Sequence, residues 1–574
     1  MKKINILAGS LLILFGALAI TSMWDDNANY DERIHLPAGY SYVTQQDMRL
    51  NPEHPPLVKD LSGLPLLFMK INFPYQSWGW DTALTADLSR TPVWQTDVGF
   101  GNDLLYYSGN DAQNMMRYGR IPIILIGILL GFYVFKFAKE LWGETAGIIA
   151  LAFYSFSPTF LAHTRLVTTD VAAAAAFFIS FYYFHKWLKN PVWRNLCIFG
   201  VVLGLSFLAK FSTFLLAPIF GFIILIWALL NGQWKKYIGG FFVVLIIAYL
   251  VVGAVYIYHI WNYPIEKQAT DTAFILSTFG FKPLANLSVW ISSQPYLRAW
   301  GEYFLGFLMV LQRSGGGNTT YYLGEISANG SRSYFPMMYL LKEPLAYILL
   351  AFFALFLALK KVISQKISVE FFRNNFTEFG MLLTLAVYWF FSITSNLNIG
   401  VRHILPTIPF IYILTAGQIS VWIKDNFKKG LLILAFFFWA AVSVISVWPS
   451  FLAYYNEIAG GPNGGYMFAV DSNLDWGQDV LRLSQFIEKN NIKEIKLDYF
   501  SGAPAEYYIK TAKIISFNRE IPQKGWLAVS ASVLQGACKG DKIPCSYNER
   551  SYTWLDKYEP LTKIGYSIFV YKIE

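Results

Sequence analysis

The chain has 574 residues, of which 55% are hydrophobic, 18% aromatic and only 14% charged. This balance excludes an ordinary soluble domain and fits a polytopic membrane protein. The formal net charge of +9 does not point to nucleic acid, because the basic residues lie between hydrophobic segments and not in one patch.

About eleven apolar segments are expected to span a membrane, near 4–23, 121–138, 144–160, 171–188, 196–211, 213–230, 238–258, 344–359, 379–394, 404–423 and 431–448. Lys2 and Lys3 put the N-terminus in the cytoplasm. The even-numbered spans then end at Lys136/Lys139, Lys186/Lys189/Arg194, Lys235/Lys236, Lys360/Lys361/Lys366 and Lys424/Lys428/Lys429, all on the inner side. The first span reads as a retained anchor, since no small-x-small cleavage site precedes Trp24-Asp25-Asp26. Loops 24–117 and 259–343 and the polar tail 449–574 fall outside. Within the second loop, apolar stretches at 284–291 and 303–311 are too short to cross and read as interfacial or re-entrant helices. The chain therefore divides into a transmembrane part, 1–448, and an extracytoplasmic tail, 449–574. That tail alternates helix-like stretches (479–490, 551–557) with strand-like ones (495–500, 526–533, 566–573), so a small α/β domain is expected. Cys197 is a packed residue of span five, whereas Cys538 and Cys545 are expected to be bridged in the tail. Gly315-Gly316-Gly317 lacks a following Lys-Ser/Thr and reads as a flexible loop, not a phosphate cradle.

Ionisable residues collect at the outer ends of the spans. Asp31-Glu32 follows span one, then His35 and the run Asn51-Pro52-Glu53-His54-Pro55-Pro56-Leu57. A carboxylate pair at a lipid–water boundary suits a general base; it also suits the N-cap of a juxtamembrane helix. His163, Arg165 and Asp170 lie in the outer turn between spans three and four. Lys210 ends span five, and Arg402-His403 begins span ten. Alone, each is a snorkelling cation or a turn residue. Together they bring several cations and several carboxylates to one face. Cations suit a phosphate, and a carboxylate suits deprotonating a hydroxyl. Nucleotide sugars and ATP are not available outside the cytoplasm, so a group donor there is most simply a lipid-anchored phosphate. In the tail, the Asp and Asn residues at 471–475 read first as a helix cap, with sugar binding by Asp475 and Trp476 as the alternative.

The spaced set resembles a known family. Asp31-Glu32, Glu53-His54-Pro55-Pro56, Arg165 with Asp170, Lys210 and Arg402-His403 resemble the polyprenol-phosphate-dependent glycosyltransferases of the GT-C class. The branch they resemble most is the protein O-mannosyltransferase-like family, which includes the bacterial aminoarabinose transferases. Tyr455-Asn-Glu457-Ile-Ala-Gly-Gly-Pro462, Asp471-Ser-Asn-Leu-Asp475-Trp-Gly-Gln478-Asp479 and Ile564-Gly-Tyr-Ser-Ile-Phe-Val-Tyr571 are similar to segments of bacterial members. Glu343 stands where the family usually has Thr, and the β-trefoil domain of eukaryotic protein mannosyltransferases is missing.

The resemblance implies a GT-C fold and an inverting transfer from a polyprenyl-phosphate sugar to a protein, glycan or lipid hydroxyl. It implies Asp31 as the base, with Glu32 beside it. Lys210, Arg402 and Arg165 would hold the donor phosphate. His35, His54, Asp170 and His403 would position the reacting groups, and Glu32 with His54 could hold a divalent cation. The implied location is the plasma membrane, in contact with membrane lipids. The rival functions are a lipid-linked saccharide transporter or flippase, an oligosaccharide ligase, and a non-enzymatic assembly factor. The clustering of charge at one face, and not at the midplane, and the absence of repeated halves disfavour the transporter.

Overall fold

The computed structural model describes residues 2–80, 93–365, 368–424, 426–500, 502–519, 521–536 and 552–574. All eleven predicted segments are helical. Among the described residues, eight helices are long and apolar enough to cross a membrane: Lys3–Ser22, Ala112–Trp142, Phe211–Asn231, Trp234–His259, Leu345–Ser364, Phe376–Thr394, Val401–Ile423 and Phe427–Ile445. Glu144–Ser155 and Pro158–Thr164 make a further pair bent by 61°. The break follows from Ser157, whose hydroxyl caps the second helix, and from Pro158 at its first position. Trp193–Phe207 is shorter, and Asp170–Lys189 is not among the eight. The latter carries the run Ala172–Ala176 and buries 15 of its 20 residues, which makes it the centre of the bundle. The outward faces of the peripheral helices expose Leu229, Phe242, Ile246, Phe352 and Phe438, as lipid-facing helices should.

Helices Ile265–Ile275, Lys282–Ser292 and Arg298–Gly316 occupy the second predicted loop. The last is longer than the apolar stretch that foreshadowed it. It is one-sided, burying Ala299, Glu302, Leu305, Gly306 and Leu308. A short hairpin, Thr320–Tyr322 with Glu325–Ser327, follows it.

The tail forms a five-stranded sheet in the order Lys513–Ile515, Glu494–Asp498, Gly525–Ser530, Ile568–Ile573, Thr562–Ile564. The first three strands are parallel and the last two pair antiparallel. The three predicted strands are the long central ones, and the two missed ones are three-residue edges. Helix Val480–Lys489 packs Val480, Leu483 and Ile487 on the sheet. Cys538 and Cys545 lie outside the described residues, and Cys197 is unpaired.

The tail also binds the first loop. The Asn27 amide donates to the Gln478 carbonyl at 3.1 Å, that of Tyr30 to the Trp476 carbonyl at 3.2 Å, and Asn27 Nδ2 to the Gly477 carbonyl at 2.7 Å. Residues 26–31 are thereby fixed by a segment some 450 positions away in the chain.

Candidate active site

Several separate pieces of chain meet at one cavity of about 210 Å³. Asp31 enters from the start of helix Glu32–Gln45, with His35 on the same face one turn later. Glu53 and His54 come from the proline-rich loop that follows. Lys210 comes from the single extended residue between helix Trp193–Phe207 and the turn Phe211–Leu215. Arg402 and His403 come from the 3₁₀ turn Val401–Thr407. Gly400 precedes that turn at φ 143°, with Ser472 packed where a Cβ would stand, so only glycine delivers Arg402 here.

The charges interlock. Arg402 Nη1 lies 2.7 Å from Asp31 Oδ2 and 3.5 Å from Asp170 Oδ2. Asp170, the first residue of its helix, also accepts from Lys210 Nζ at 2.6 Å. The Arg402 guanidinium stands 4.1 Å from the centroid of the Trp476 ring. Asp31 occupies the N-cap position of its helix but makes no side-chain cap hydrogen bond. Its carboxylate instead faces the cavity and is 24% exposed. Burial pushes the Asp31 carboxyl up, but the Arg402 guanidinium outweighs this and holds it below the usual carboxylate range. Asp31 is therefore ionised and able to accept a proton. The imidazoles of His35 and His54 meet edge to face at 5.2 Å, and burial drives both below their usual range, so both are neutral. His35 Nδ1 is anchored on the Val167 carbonyl at 3.0 Å, whereas His54 Nδ1 is buried with no protein partner.

Asp31, Lys210, Arg402, His35, His54 and His403 are thus brought together, with Asp170 directly behind the two cations. Four expected site residues are elsewhere. Glu32 is fully buried and binds Arg120 through both oxygens, at 2.8 and 2.7 Å, while accepting from the amides of Asn29 and Val167. That leaves it no capacity for catalysis or for an ion shared with His54. Arg165 is also buried, ion-paired with Asp26 and donating to the Ser22 carbonyl at 2.6 Å, so it ties span one to the bundle and touches no donor site. Asp475 accepts from the Ser532 amide at 2.7 Å beneath the tail sheet, where burial pushes its carboxyl up to about 6. Trp476 is 1% exposed, with its face covered by Arg402; it supports a cation and offers no surface to a sugar. Among the described residues, no group of three or more His, Cys, Asp or Glu side chains is placed to hold a metal ion.

Two charged cavity residues were given no role from the sequence. Arg313, near the end of helix Arg298–Gly316, pairs with Glu53 at 2.7 Å across the cavity mouth. The signal was a lone arginine just before the glycine triplet, in a segment read only for its apolar content. Glu53 was visible within its run but had no partner to give it meaning.

Comparisons with known proteins bear on this site. Residues 112–261 match the model of the family described as dolichyl-phosphate-mannose-protein mannosyltransferase. No curated protein sequence matches the chain. Among solved structures, it is similar to ArnT from Cupriavidus metallidurans bound to undecaprenyl phosphate, with 10% identity and a TM-score of 0.47 over 99% of this chain and 97% of that one. It is also similar to the oligosaccharyltransferase of Archaeoglobus fulgidus in the apo form, with 13% identity and a TM-score of 0.46 over 90% of this chain. The match spans 62% of the archaeal protein's own length. The family match covers the segment that supplies Lys210 to the cavity and Asp170 behind it.

Proposed function

We propose that the chain transfers a sugar from a polyprenyl-phosphate donor to a hydroxyl of a protein, glycan or lipid acceptor, with inversion, on the extracytoplasmic face of the plasma membrane. Asp31 is the base. It takes the acceptor's hydroxyl proton as that oxygen bonds to the anomeric carbon. The bond from that carbon to the phosphate oxygen breaks, and its electron pair leaves with the polyprenyl phosphate. The leaving group is already a stable anion, so no general acid is needed. Lys210 and Arg402 hold the phosphate and stabilise the charge that grows on it. Asp170 fixes both cations, and His35, His54 and His403 orient the reactants. The transmembrane part, 1–448, carries this chemistry, and the tail contributes Trp476 beneath Arg402.

The observation that carries the reading is the shared geometry of one ionised carboxylate and two cations, with Asp31 to Arg402 at 2.7 Å and Lys210 to Asp170 at 2.6 Å, lining one cavity. The run of basic inner loops supports a cytoplasmic N-terminus and an extracytoplasmic tail. Asp31→Asn keeps the shape and removes the base, so turnover should fall by roughly 10²–10⁴-fold with the fold intact. Near wild-type turnover in that variant, at saturating substrates, would remove Asp31 from the chemistry.

A further inference from the structure

Lys59 lies on helix Leu57–Gly63, outside the cavity, and its side chain is fully buried. Its ammonium donates to the Tyr42 hydroxyl at 2.9 Å, the Asn51 carbonyl at 2.7 Å, Asn51 Oδ1 at 3.2 Å and the His54 carbonyl at 2.8 Å. No carboxylate lies within ion-pair distance of it among the described residues. The compensating charge is one residue removed. Asn51 turns its two donors the other way, with its backbone amide 3.0 Å and its Nδ2 3.3 Å from the carboxylate of Asp97. Asn51 is therefore clamped between a buried ammonium and a buried carboxylate, and it holds a left-handed φ of 47° that a non-glycine residue adopts at a cost. Burial pushes the Lys59 amine down to about 7, a penalty that Leu or Met in the same place would not incur.

What this clamp holds is the loop that enters the cavity. Pro52 follows Asn51, then Glu53, which pairs with Arg313, then His54, which faces His35. At the far end the Leu57 amide donates to the Leu208 carbonyl at 3.2 Å, two residues before Lys210. The loop is thus pinned at both ends, and at its first and fourth residues by one ammonium.

We infer that Lys59 is a positioning residue for the transfer reaction, acting through the Asn51–His54 loop to set Glu53 and His54 in the cavity. The inference rests on the reading of the cavity as the site of glycosyl transfer. It assigns Lys59 no contact with the donor. Its effect on the reaction should depend on the two side chains it places.

The test uses the full-length protein in its own membranes, with polyprenyl-phosphate mannose as the probe donor and the endogenous acceptor. Lys59→Met keeps length and removes charge. Its kcat should fall about 10–100-fold, with the donor KM within about 3-fold of wild type, as misplacement of a reacting group predicts. In a Glu53→Ala/His54→Ala background the same substitution should cost less than about 3-fold more, since the groups it places are gone. An equal loss in both backgrounds overturns the inference in favour of a general packing role. A raised donor KM with unchanged kcat overturns it in favour of direct donor contact. Should Lys59→Met not fold, Asn51→Gly serves instead. It keeps the backbone conformation, the carbonyl that Lys59 binds and the amide that donates to Asp97, but removes the side-chain bonds from Asn51 to Lys59 and to Asp97. It should show the same split at smaller size, and wild-type kcat in Asn51→Gly overturns the inference. Asp31→Asn is run beside these. Transfer surviving in Asp31→Asn removes the reading of the cavity and this inference with it. Transfer lost in Asp31→Asn but intact in Lys59→Met removes the inference alone.

Discussion

Trp476 separates two ways of using a tryptophan near a glycosyl-transfer site, as a platform for a sugar or as a floor for a cation. The ring is 1% exposed and lies 4.1 Å beneath the Arg402 guanidinium, which itself pairs with Asp31. A desolvated contact of this kind is worth about 1–2 kcal/mol. Trp476→Leu removes the π face while keeping much of the apolar volume. If Arg402 holds the donor phosphate, that loss should raise the donor KM by about 5–30-fold, each 1.4 kcal/mol being a factor of ten. Trp476→Phe keeps a smaller face and should lose less. The cavity left by either substitution is read separately, as a lower unfolding temperature in detergent. The decisive arm is a cycle with Arg402→Gln: without the cation, Trp476→Leu should raise the donor KM by less than about 2-fold further. The measurement is initial transfer rate against donor concentration in reconstituted vesicles. A loss of the same size with and without Arg402 would refute the reasoning and restore the sugar platform.

Adjacent Asp31 and Glu32 should behave oppositely. Glu32→Gln leaves the buried Arg120 charge uncompensated and should cost about 3–5 kcal/mol, seen as a depressed unfolding temperature and poor accumulation, whereas Asp31→Asn should leave that temperature near wild type. Glu302 is pushed up to about 8 by burial, so the folded state keeps a proton that the unfolded chain releases above its ordinary value near 4.3. Its contribution to stability therefore falls as pH rises from about 4.3 towards 8, and Glu302→Gln should flatten the unfolding temperature between pH 5.5 and pH 8. For orientation, Lys489→Cys and Ser364→Cys are placed in a cysteine-free background, both positions being exposed. An impermeant thiol reagent added outside should label the first and not the second; the reverse pattern would put Asp31 on the cytoplasmic side.

The expected cavity was legible where sequence position alone decides the outcome. A charge at the outer end of an apolar segment has little choice of depth, and Asp31, Lys210 and Arg402 all fall at such ends. Asp31 and His35 share a helix face because they are four residues apart. What could not be read was whether a given charge already had a neutralising partner. Glu32 is silenced by Arg120 and Arg165 by Asp26, partners 88 and 139 positions away, and nothing local distinguishes these from Asp31. Glu53, Arg313, Lys59 and Asp97 were missed for the same reason. Each is an ordinary charged residue until the loops that carry them are brought side by side. The helices and central strands follow from hydrophobic period, whereas the three-residue edge strands are too short to show one.

The hydrogen bonds between residues 27–30 and 476–478 set an order of events. A chain is made from its N-terminus, so the segment that ends in Asp31, the proposed base, emerges hundreds of residues before the stretch that fixes it. Until the tail has reached the same side and folded, Arg402 has no floor and residues 26–31 have no template. Any activity of the cavity should therefore appear only after residues 476–478 have emerged and the tail has folded against residues 27–30.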